Sequence, residues 1–345
     1  MGPHAPHLPS TPAPWYADHP IGNLPVPKGP DYNWSAEGYH AFLPEEPVIN
    51  AADEAAIVDE HSKRLRSLLS VDDLVRETYA YLTSVGEWDN TFFIYTSDHG
   101  YNLGQFRVDS HKTMIYDHTT RVPMLVKGPG IAAGSMISSI HSMADVAPTI
   151  LELAGGMVAE RQDMDGISYA PALLAKTPTE PTRDAVLVEY LSIRDSNTID
   201  TLTTREARDE YLSAYGYRED AVTGEAIYPW SNTNKKMTQE HWHDGPNNTF
   251  SAIRVINATA SPPINLLFAV FADVNNPLAW DFAPSQLNFF ELFDVSNDYY
   301  MMKNIYPTAS AAVKAALHAR VQSLIKCKGM VECTAGLANS PPLQL

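Results

Sequence analysis

The strongest constraint on the fold is a short, uncharged and β-rich run, residues 91–96, that directly follows a long helical pattern. Apolar residues recur in steps of three and four over 53–86, which predicts one amphipathic helix. An uncharged strand is typical of a sheet covered on both faces. A second such strand is predicted at 122–126, a helix at 145–153 and a strand at 185–189. This alternation predicts an α/β fold with a mixed, mostly parallel central sheet flanked by helices.

The pattern changes near residue 190. Residues 194–248 are polar and weakly patterned, and three strands then follow without intervening helices, which predicts a small antiparallel sheet. These predicted strands are 250–256, 265–271 and 289–295. A last helix is predicted over 308–325, with Thr308 as a suitable N-cap. We therefore expect two units, residues 1–190 and a smaller α+β subdomain at 191–345.

The charge balance excludes some partners. Acidic residues number 41 against 24 basic ones, and the net charge of −17 repels nucleic acid and anionic membranes at long range. An anionic ligand would have to be held by a few local cations. The longest apolar run, 264–272, is about half a membrane span and is interpreted as a buried strand. The first residues contain no apolar segment of the kind that a signal peptide requires.

The residues that best indicate chemistry follow the first predicted strand. Ser97-Asp98-His99-Gly100 stands where ligands bind in open α/β sheets, beyond the carboxyl end of a strand. Asp98 can offer hard oxygen to a divalent cation, and Gly100 permits a tight turn beside it. By itself this pattern is weak, because an aspartate at a strand end more often forms a turn. Lys112 and the segment 121–130, Arg-Val-Pro followed by Gly-Pro-Gly, strengthen it.

In this order, these segments resemble the sulfatase family of the alkaline-phosphatase superfamily, most of all its N-acetylglucosamine-6-sulfatase branch. Residues 69–75, 145–155 and 291–295 are similar to further family segments in the family's order. The resemblance covers 1–190 and 285–335. It implies that 1–190 is the carboxy-terminal part of a sulfatase catalytic domain.

The resemblance implies a role for each of four residues. Asp98 would be a ligand of one divalent cation, Ca²⁺. His99 would be either a second ligand or a direct contact of the sulfate, because an imidazole is a softer donor than calcium prefers. Lys112 would neutralise a sulfate oxygen. His4, in Pro-His-Ala-Pro, would contact the sulfate or protonate the leaving alcohol, and His7 competes with it for this role.

The nucleophile expected of the family has no counterpart in the sequence. Sulfatases convert a Cys or Ser in a Cys-x-Pro-x-Arg or Ser-x-Pro-x-Arg context into formylglycine, and neither motif occurs in the 345 residues. Cys327 and Cys333 lack this context, and as a lone close pair they are expected to form a disulfide. We therefore expect an amino-terminal part with the nucleophile and an early aspartate pair to be missing, so that the chain alone is inactive.

Several sequence features favour the secretory pathway. N-glycosylation motifs occur at Asn33, Asn247 and Asn257, and a disulfide would suit the same oxidising compartment. With the family resemblance, this predicts a lysosomal or secreted protein, although no signal peptide is visible.

The resulting prediction is a sulfuric ester hydrolase that acts on sulfated sugars. A non-catalytic, sulfatase-derived protein that binds a glycan or a partner is the alternative. A phosphomonoester or phosphonate hydrolase of the same superfamily is a third hypothesis.

Three residues near the candidate site are given structural interpretations. Asp145 is interpreted as a helix cap, and His111 and His118 are interpreted as surface residues.

Overall fold

The structure is a computed structural model that describes residues 1–21, 24–40, 43–109, 112–156, 163–175, 183–190, 218–219, 226–227, 248–257, 260–272, 282, 287 and 289–338. The described helices are α1 (Ala51–Ser84), α2 (Asp117–Thr120), α3 (Val146–Leu153), α4 (Ala170–Leu174), α5 (Ala311–Lys326) and α6 (Gly329–Ala338). The described strands are β1 (Phe93–Thr96), β2 (Met124–Lys127), β3 (Ala185–Tyr190), β4 (Arg218–Glu219), β5 (Ala226–Ile227), β6 (Thr249–Asn257), β7 (Ile264–Ala272) and β8 (Phe289–Asp294). Each element predicted from periodicity is present. None of the described helices is long and apolar enough to cross a membrane.

The largest sheet has four antiparallel strands in the order β3-β6-β7-β8. Consecutive side chains of β7 point to opposite faces of this sheet. Leu266, Phe268 and Val270 pack on one face with α5, in the cluster that contains Leu317. The other face is covered by Ala36, Tyr39 and Leu43 of the amino-terminal part and by Phe106, Val108 and residues 114–116. The sheet is therefore a central layer between two cores, which explains why β7 contains no charged residue.

The apolar side chains next to β7 on its second face form the second core. They are Leu267, Ala269 and Phe271 of β7, with Met114, Ile115 and Tyr116 of the chain segment that follows Lys112. All of these residues are almost completely buried. The segment after Lys112 is thus packed directly on the carboxy-terminal sheet.

The first two strands form a separate pair in which β1 and β2 run antiparallel, with Thr96 opposite Met124. We correctly expected these two strands to share a sheet. The expectation of mostly parallel pairing is wrong for the described strands up to residue 190, because β1 pairs antiparallel with β2 and β3 pairs antiparallel with β6. The antiparallel pairing expected for the later strands is present. Parallel neighbours need a crossover that returns the chain to the opposite end of the sheet, and α2, with four residues, makes no such crossover.

The helix boundaries reflect local capping. Asn50 caps α1 in a capping box with Asp53, which fixes the start of this 34-residue helix. The predicted N-cap of the last long helix is wrong by two residues: the hydroxyl of Ser310, rather than that of Thr308, accepts the backbone N–H of Val313 at 3.2 Å. Either residue type can cap, and the three-dimensional path of the chain decided between them.

The predicted domain boundary at 190 falls at the end of β3. This strand pairs with β6 over its whole length, from Ala185 opposite Val255 to Tyr190 opposite Phe250. The four-stranded sheet therefore takes its first strand from residues before the predicted boundary.

Candidate active site

The loop between β1 and β2 leaves and re-enters this strand pair at the same end, because Thr96 pairs with Met124. The described residues of this loop, 97–109 and 112–123, therefore extend from one end of the pair. Asp98 and Lys112 both belong to this loop. The antiparallel pairing thus positions the predicted site.

The turn that carries Asp98 is docked on the backbone of residues 118–119. The N–H of Gly100 donates to the carbonyl oxygen of Thr119 at 2.7 Å, and the N–H of Tyr101 donates to that of His118 at 3.0 Å. A Cβ atom at Gly100 would lie 2.0 Å from the carbonyl oxygen of His118. Only glycine permits so close an approach of two backbones.

His99 lies between the two other predicted residues of the loop. Its Nε2 atom is 2.9 Å from Nζ of Lys112 and 3.3 Å from Oδ2 of Asp98. Its Nδ1 atom is 2.7 Å from the carbonyl oxygen of Gly100. Because a carbonyl oxygen only accepts, Nδ1 donates, which turns Nε2 towards the ammonium of Lys112 and the carboxylate of Asp98. The structure thus brings Asp98, His99 and Lys112 together.

The charges at this loop influence one another. Partial burial acts to raise the pKa of Asp98, but the nearby His99 and Lys112 outweigh this effect and hold the pKa below its ordinary value. Burial lowers the pKa of Lys112, while Asp98 raises it and Arg64 lowers it further. Lys112 is therefore a partly desolvated cation beside a second one. Such an arrangement favours binding of an anion.

Arg64, which we did not predict as a site residue, connects two parts of the site. It projects from α1, and its guanidinium carbon lies 4.1 Å from the centre of the Tyr101 ring. Its Nη1 atom donates to the carbonyl oxygen of Pro6 at 3.2 Å. In the sequence this arginine is one of several charged residues outside the apolar stripe of α1, so no local signal distinguished it.

The segment that carries His4 meets the site through this arginine. The rings of His4 and His7 are exposed, with their centres 4.8 Å apart. Pro6, between them, accepts the hydrogen bond from Arg64, and Ser10 donates to Glu60 of α1 at 3.0 Å. The choice between His4 and His7 stays a prediction.

The side chains present fit a divalent cation only in part. Asp98 offers carboxylate oxygens, but Nε2 of His99 is engaged by Lys112. Within the part of the chain that the structure describes, no three His, Cys, Asp or Glu side chains are grouped to hold a metal ion. Calcium takes six to eight oxygen ligands, so these residues do not form a calcium site by themselves.

The predicted disulfide and glycosylation sites have different surroundings. The sulfur atoms of Cys327 and Cys333 lie within bonding distance, across the junction of α5 and α6. Asn33 is half-buried, and its Oδ1 atom accepts the N–H of Ile49 at 2.9 Å. Asn257 ends β6, and its Oδ1 atom accepts a backbone N–H at 2.9 Å. Asn247 lies outside the described residues.

Two interpretations of neighbouring residues need correction. His118 is not a surface residue: its Nε2 atom is enclosed, and burial lowers the pKa of the ring to about 4. Asp145 precedes α3 and makes no cap hydrogen bond to that helix; its carboxylate instead accepts the N–H of Ser142 at 2.7 Å, in the capping box of the 3-10 turn Met143–Asp145. It is fully buried, accepts the N–H of Ile167 at 2.7 Å and pairs with Arg183. His111 lies outside the described residues.

Comparisons with known proteins find similarity to sulfatases. Residues 1–157 match the family model described as sulfatase, and residues 105–217 match the model described as N-sulphoglucosamine sulphohydrolase, C-terminal. The chain is 28% identical to N-acetylglucosamine-6-sulfatase of Bos taurus over 335 residues, which is 96% of this chain and 52% of that protein. The chain thus spans about half the length of this curated relative.

Two solved structures share the fold. One, a protein in complex with its substrate D-glucosamine-2-N,6-O-disulfate, has a TM-score of 0.51 at 22% identity and covers 79% of this chain and 42% of that one. The phosphonate monoester hydrolase of Silicibacter pomeroyi has a TM-score of 0.58 at 19% identity and covers 93% and 54%. These likenesses confirm the predicted fold class.

Proposed function

Because residues 1–157 match the sulfatase family model, we propose that the chain serves in the hydrolysis of sulfate esters. The observation that carries this proposal is the position of Lys112, half-buried and 2.9 Å from His99, at the end of the β1–β2 pair. A sulfate ester carries one negative charge shared by three oxygens. A partly desolvated ammonium attracts that charge more strongly than a fully hydrated one.

The proposed roles follow from the contacts of each side chain. Lys112 neutralises a sulfate oxygen, and Arg64 adds a second positive charge from α1. His99 orients the Lys112 ammonium through Nε2, since its own ring is fixed by the Nδ1 hydrogen bond to Gly100. His4 is the proposed donor of a proton to the leaving alcohol, with His7 as the competing donor.

The covalent step needs a group that the 345 residues do not encode in the family's motif. Formylglycine supplies the nucleophile in this family. We propose that it comes from outside these residues, together with further oxygen ligands that would join Asp98 around a calcium ion. The chain alone is then expected to bind calcium weakly and to lack turnover.

The substrate class proposed is a sulfated sugar, with the sulfate on N-acetylglucosamine. The support is the likeness to N-acetylglucosamine-6-sulfatase along nearly the whole chain.

A lysosomal or secreted location, with N-glycans on Asn33, Asn247 and Asn257, is part of the same proposal. The support there is the cysteine pair together with the three glycosylation motifs.

Binding of an aryl sulfate tests the role of Lys112. Isothermal titration of the chain with nitrocatechol sulfate should show binding that Lys112→Ala weakens about tenfold to a hundredfold, the range for a lost charged hydrogen bond. Lys127→Ala is the matched control. Lys127 ends β2, and its ammonium lies over the ring of Trp88 rather than beside Asp98 and His99. Equal losses in both variants would contradict the proposed role.

Turnover separates the proposed hydrolase from its alternatives. The purified chain should hydrolyse nitrocatechol sulfate at the background rate, and a longer chain that includes the formylglycine segment should restore turnover. Rapid turnover by the 345 residues alone would contradict the assignment of the nucleophile. Binding without turnover in both forms would favour the non-catalytic glycan-binding protein.

A further inference from the structure

A buried polar network lies beneath the segment that follows Lys112. His40 and Glu291 are almost fully enclosed, and Oε1 of Glu291 accepts both the backbone N–H of His40 at 2.9 Å and its Nδ1 at 2.8 Å. Oε2 of Glu291 accepts the hydroxyl of Tyr116 at 3.1 Å. The carboxylate therefore receives three hydrogen bonds, which offset the cost of its burial.

The network continues from His40 to Asn248. Nε2 of His40 lies 3.1 Å from Oδ1 of Asn248, and Nδ2 of Asn248 donates to the carbonyl oxygen of Thr113 at 3.0 Å. Because the carbonyl oxygen of Thr113 only accepts, the carboxamide atom that faces it is the nitrogen, and the atom that faces His40 is the oxygen. Both ring nitrogens of His40 therefore face oxygen atoms, so the ring is held by Glu291 on one side and by Asn248 on the other.

The hydrogen bond to Thr113 falls where the backbone is strained. Thr113, directly after Lys112, has a φ of 58°, in the left-handed region that β-branched residues rarely adopt. Such a conformation persists only where its surroundings impose it. The contact from Asn248 to the carbonyl oxygen of Thr113 is one such constraint.

A third anchor holds the far end of this segment. Nε and Nη2 of Arg254, on β6, donate to the two carboxylate oxygens of Asp117 at 2.9 and 3.1 Å. The Arg254 Nη1 atom also donates to the carbonyl oxygen of Leu266 on β7 at 3.0 Å. Residues 113–117 are thus fastened to the four-stranded sheet at Thr113, at Tyr116 and at Asp117.

From this arrangement we propose that Glu291, His40 and Asn248 are positioning residues that hold Lys112 against His99. The carboxy-terminal sheet is then part of the site, although it supplies no group that touches the sulfate. This proposal rests on the proposed function, in which Lys112 neutralises the sulfate. Its structural part, the fixing of residues 112–117 by the sheet, can be tested by itself.

Two variants and one control separate positioning from general stability. Glu291→Gln removes the carboxylate charge of the network while keeping its shape. Asn248→Ala leaves Glu291 in place and removes both the bond to Thr113 and the oxygen that faces Nε2 of His40. The control is Asp184→Asn, because Asp184 pairs with the buried Arg320 of α5 on the opposite face of the sheet. It perturbs a partly buried ion pair of the same sheet without contacting residues 112–117.

Hydrogen exchange measured by mass spectrometry tests the structural part on the full chain. In Glu291→Gln and Asn248→Ala, the amides of residues 112–117 should exchange at least tenfold faster, while those of β7 keep their protection. In Asp184→Asn, the amides of residues 112–117 should be unchanged. Unchanged exchange of 112–117 in the two network variants, or equal acceleration of β7, would overturn the proposal.

Titration with nitrocatechol sulfate tests the functional part. The two network variants should bind at least tenfold more weakly than the unchanged chain, and Asp184→Asn should bind with the same affinity. If the unchanged chain binds no aryl sulfate, the proposed function fails while the exchange result still decides the positioning. If aryl sulfate binds equally well to all variants, the positioning proposal is wrong and the proposed function stands.

Discussion

At the scale of single residues, the turn after β1 depends on the absence of a side chain at Gly100. A Cβ there would lie 2.0 Å from a backbone oxygen, and backbone cannot move aside as a flexible side chain can. In the Ser-Asp-His-Gly pattern, Asp98 therefore has a chemical role and Gly100 has a steric one.

Replacement of Gly100 by alanine should destabilise the chain and weaken aryl sulfate binding. The inserted methyl group forces the 97–101 turn away from residues 118–119, at a cost of about 1–3 kcal/mol in the free energy of unfolding. Urea denaturation measures this cost. Gly2→Ala is the control, because a Cβ at Gly2 meets no atom within 4 Å. Equal stability of the two variants would disprove the steric role.

His118 should make the stability of the fold depend on pH. Burial lowers the pKa of its ring to about 4, against about 6.5 in the unfolded chain. Between these values the unfolded state binds the extra proton, so stability falls as the pH falls. From pH 7 to pH 4.5 the loss should be about 2 kcal/mol.

Urea denaturation of His118→Phe at both pH values checks this prediction. The phenyl ring keeps the packing against Phe106 and Tyr116 but does not titrate. The loss on acidification should therefore be about 2 kcal/mol smaller in this variant than in the unchanged chain. His4→Phe, at an exposed position, should behave like the unchanged chain, and the same loss in all three proteins would contradict the prediction.

At the scale of elements, most predicted helices and strands occur within two or three residues of the expected bounds. The predicted 53–86 helix is Ala51–Ser84, and the predicted 265–271 strand is Ile264–Ala272. Each of these elements is specified locally, by a period of 3.6 or by an uncharged β-rich run. The ends of the elements were less accurate, because capping depends on the path of the neighbouring chain.

The junction of α5 and α6 should be stabilised by the Cys327–Cys333 pair. Closing so short a loop stabilises by about 2 kcal/mol when chain entropy dominates. Cys327→Ser should therefore lower the free energy of unfolding by about that amount, as measured by urea denaturation without reductant. Thiol titration of the unreduced, denatured chain should find no free thiol, and two free thiols would reject the disulfide.

At the scale of the whole molecule, the net charge of −17 opposes the approach of a polyanion to the few cations of the site. This repulsion acts over many ångströms and is screened by salt, with a Debye length of about 10 Å at 0.1 M. The attraction from Lys112 acts at contact and is screened less.

Association of a polysulfated oligosaccharide should therefore become faster when NaCl is raised from 20 to 150 mM. The expected increase is severalfold, and surface plasmon resonance measures it. Nitrocatechol sulfate, with a single sulfate, serves as the control and should respond less. Slower association of the oligosaccharide at higher salt would indicate a basic binding surface that outweighs the net charge.

The sequence by itself determined the kind of each main element, the family resemblance and the place of Asp98, His99 and Lys112 in one loop. These features are local: a periodicity or a short motif carries them within about thirty residues. Only the tertiary structure decided that β1 and β2 pair antiparallel, that Arg64 joins the Pro6 segment to Tyr101, and that Glu291 lies beneath Tyr116. Those contacts join residues that are distant in sequence, and they depend on how completed elements pack and satisfy buried polar groups, for which no local pattern exists.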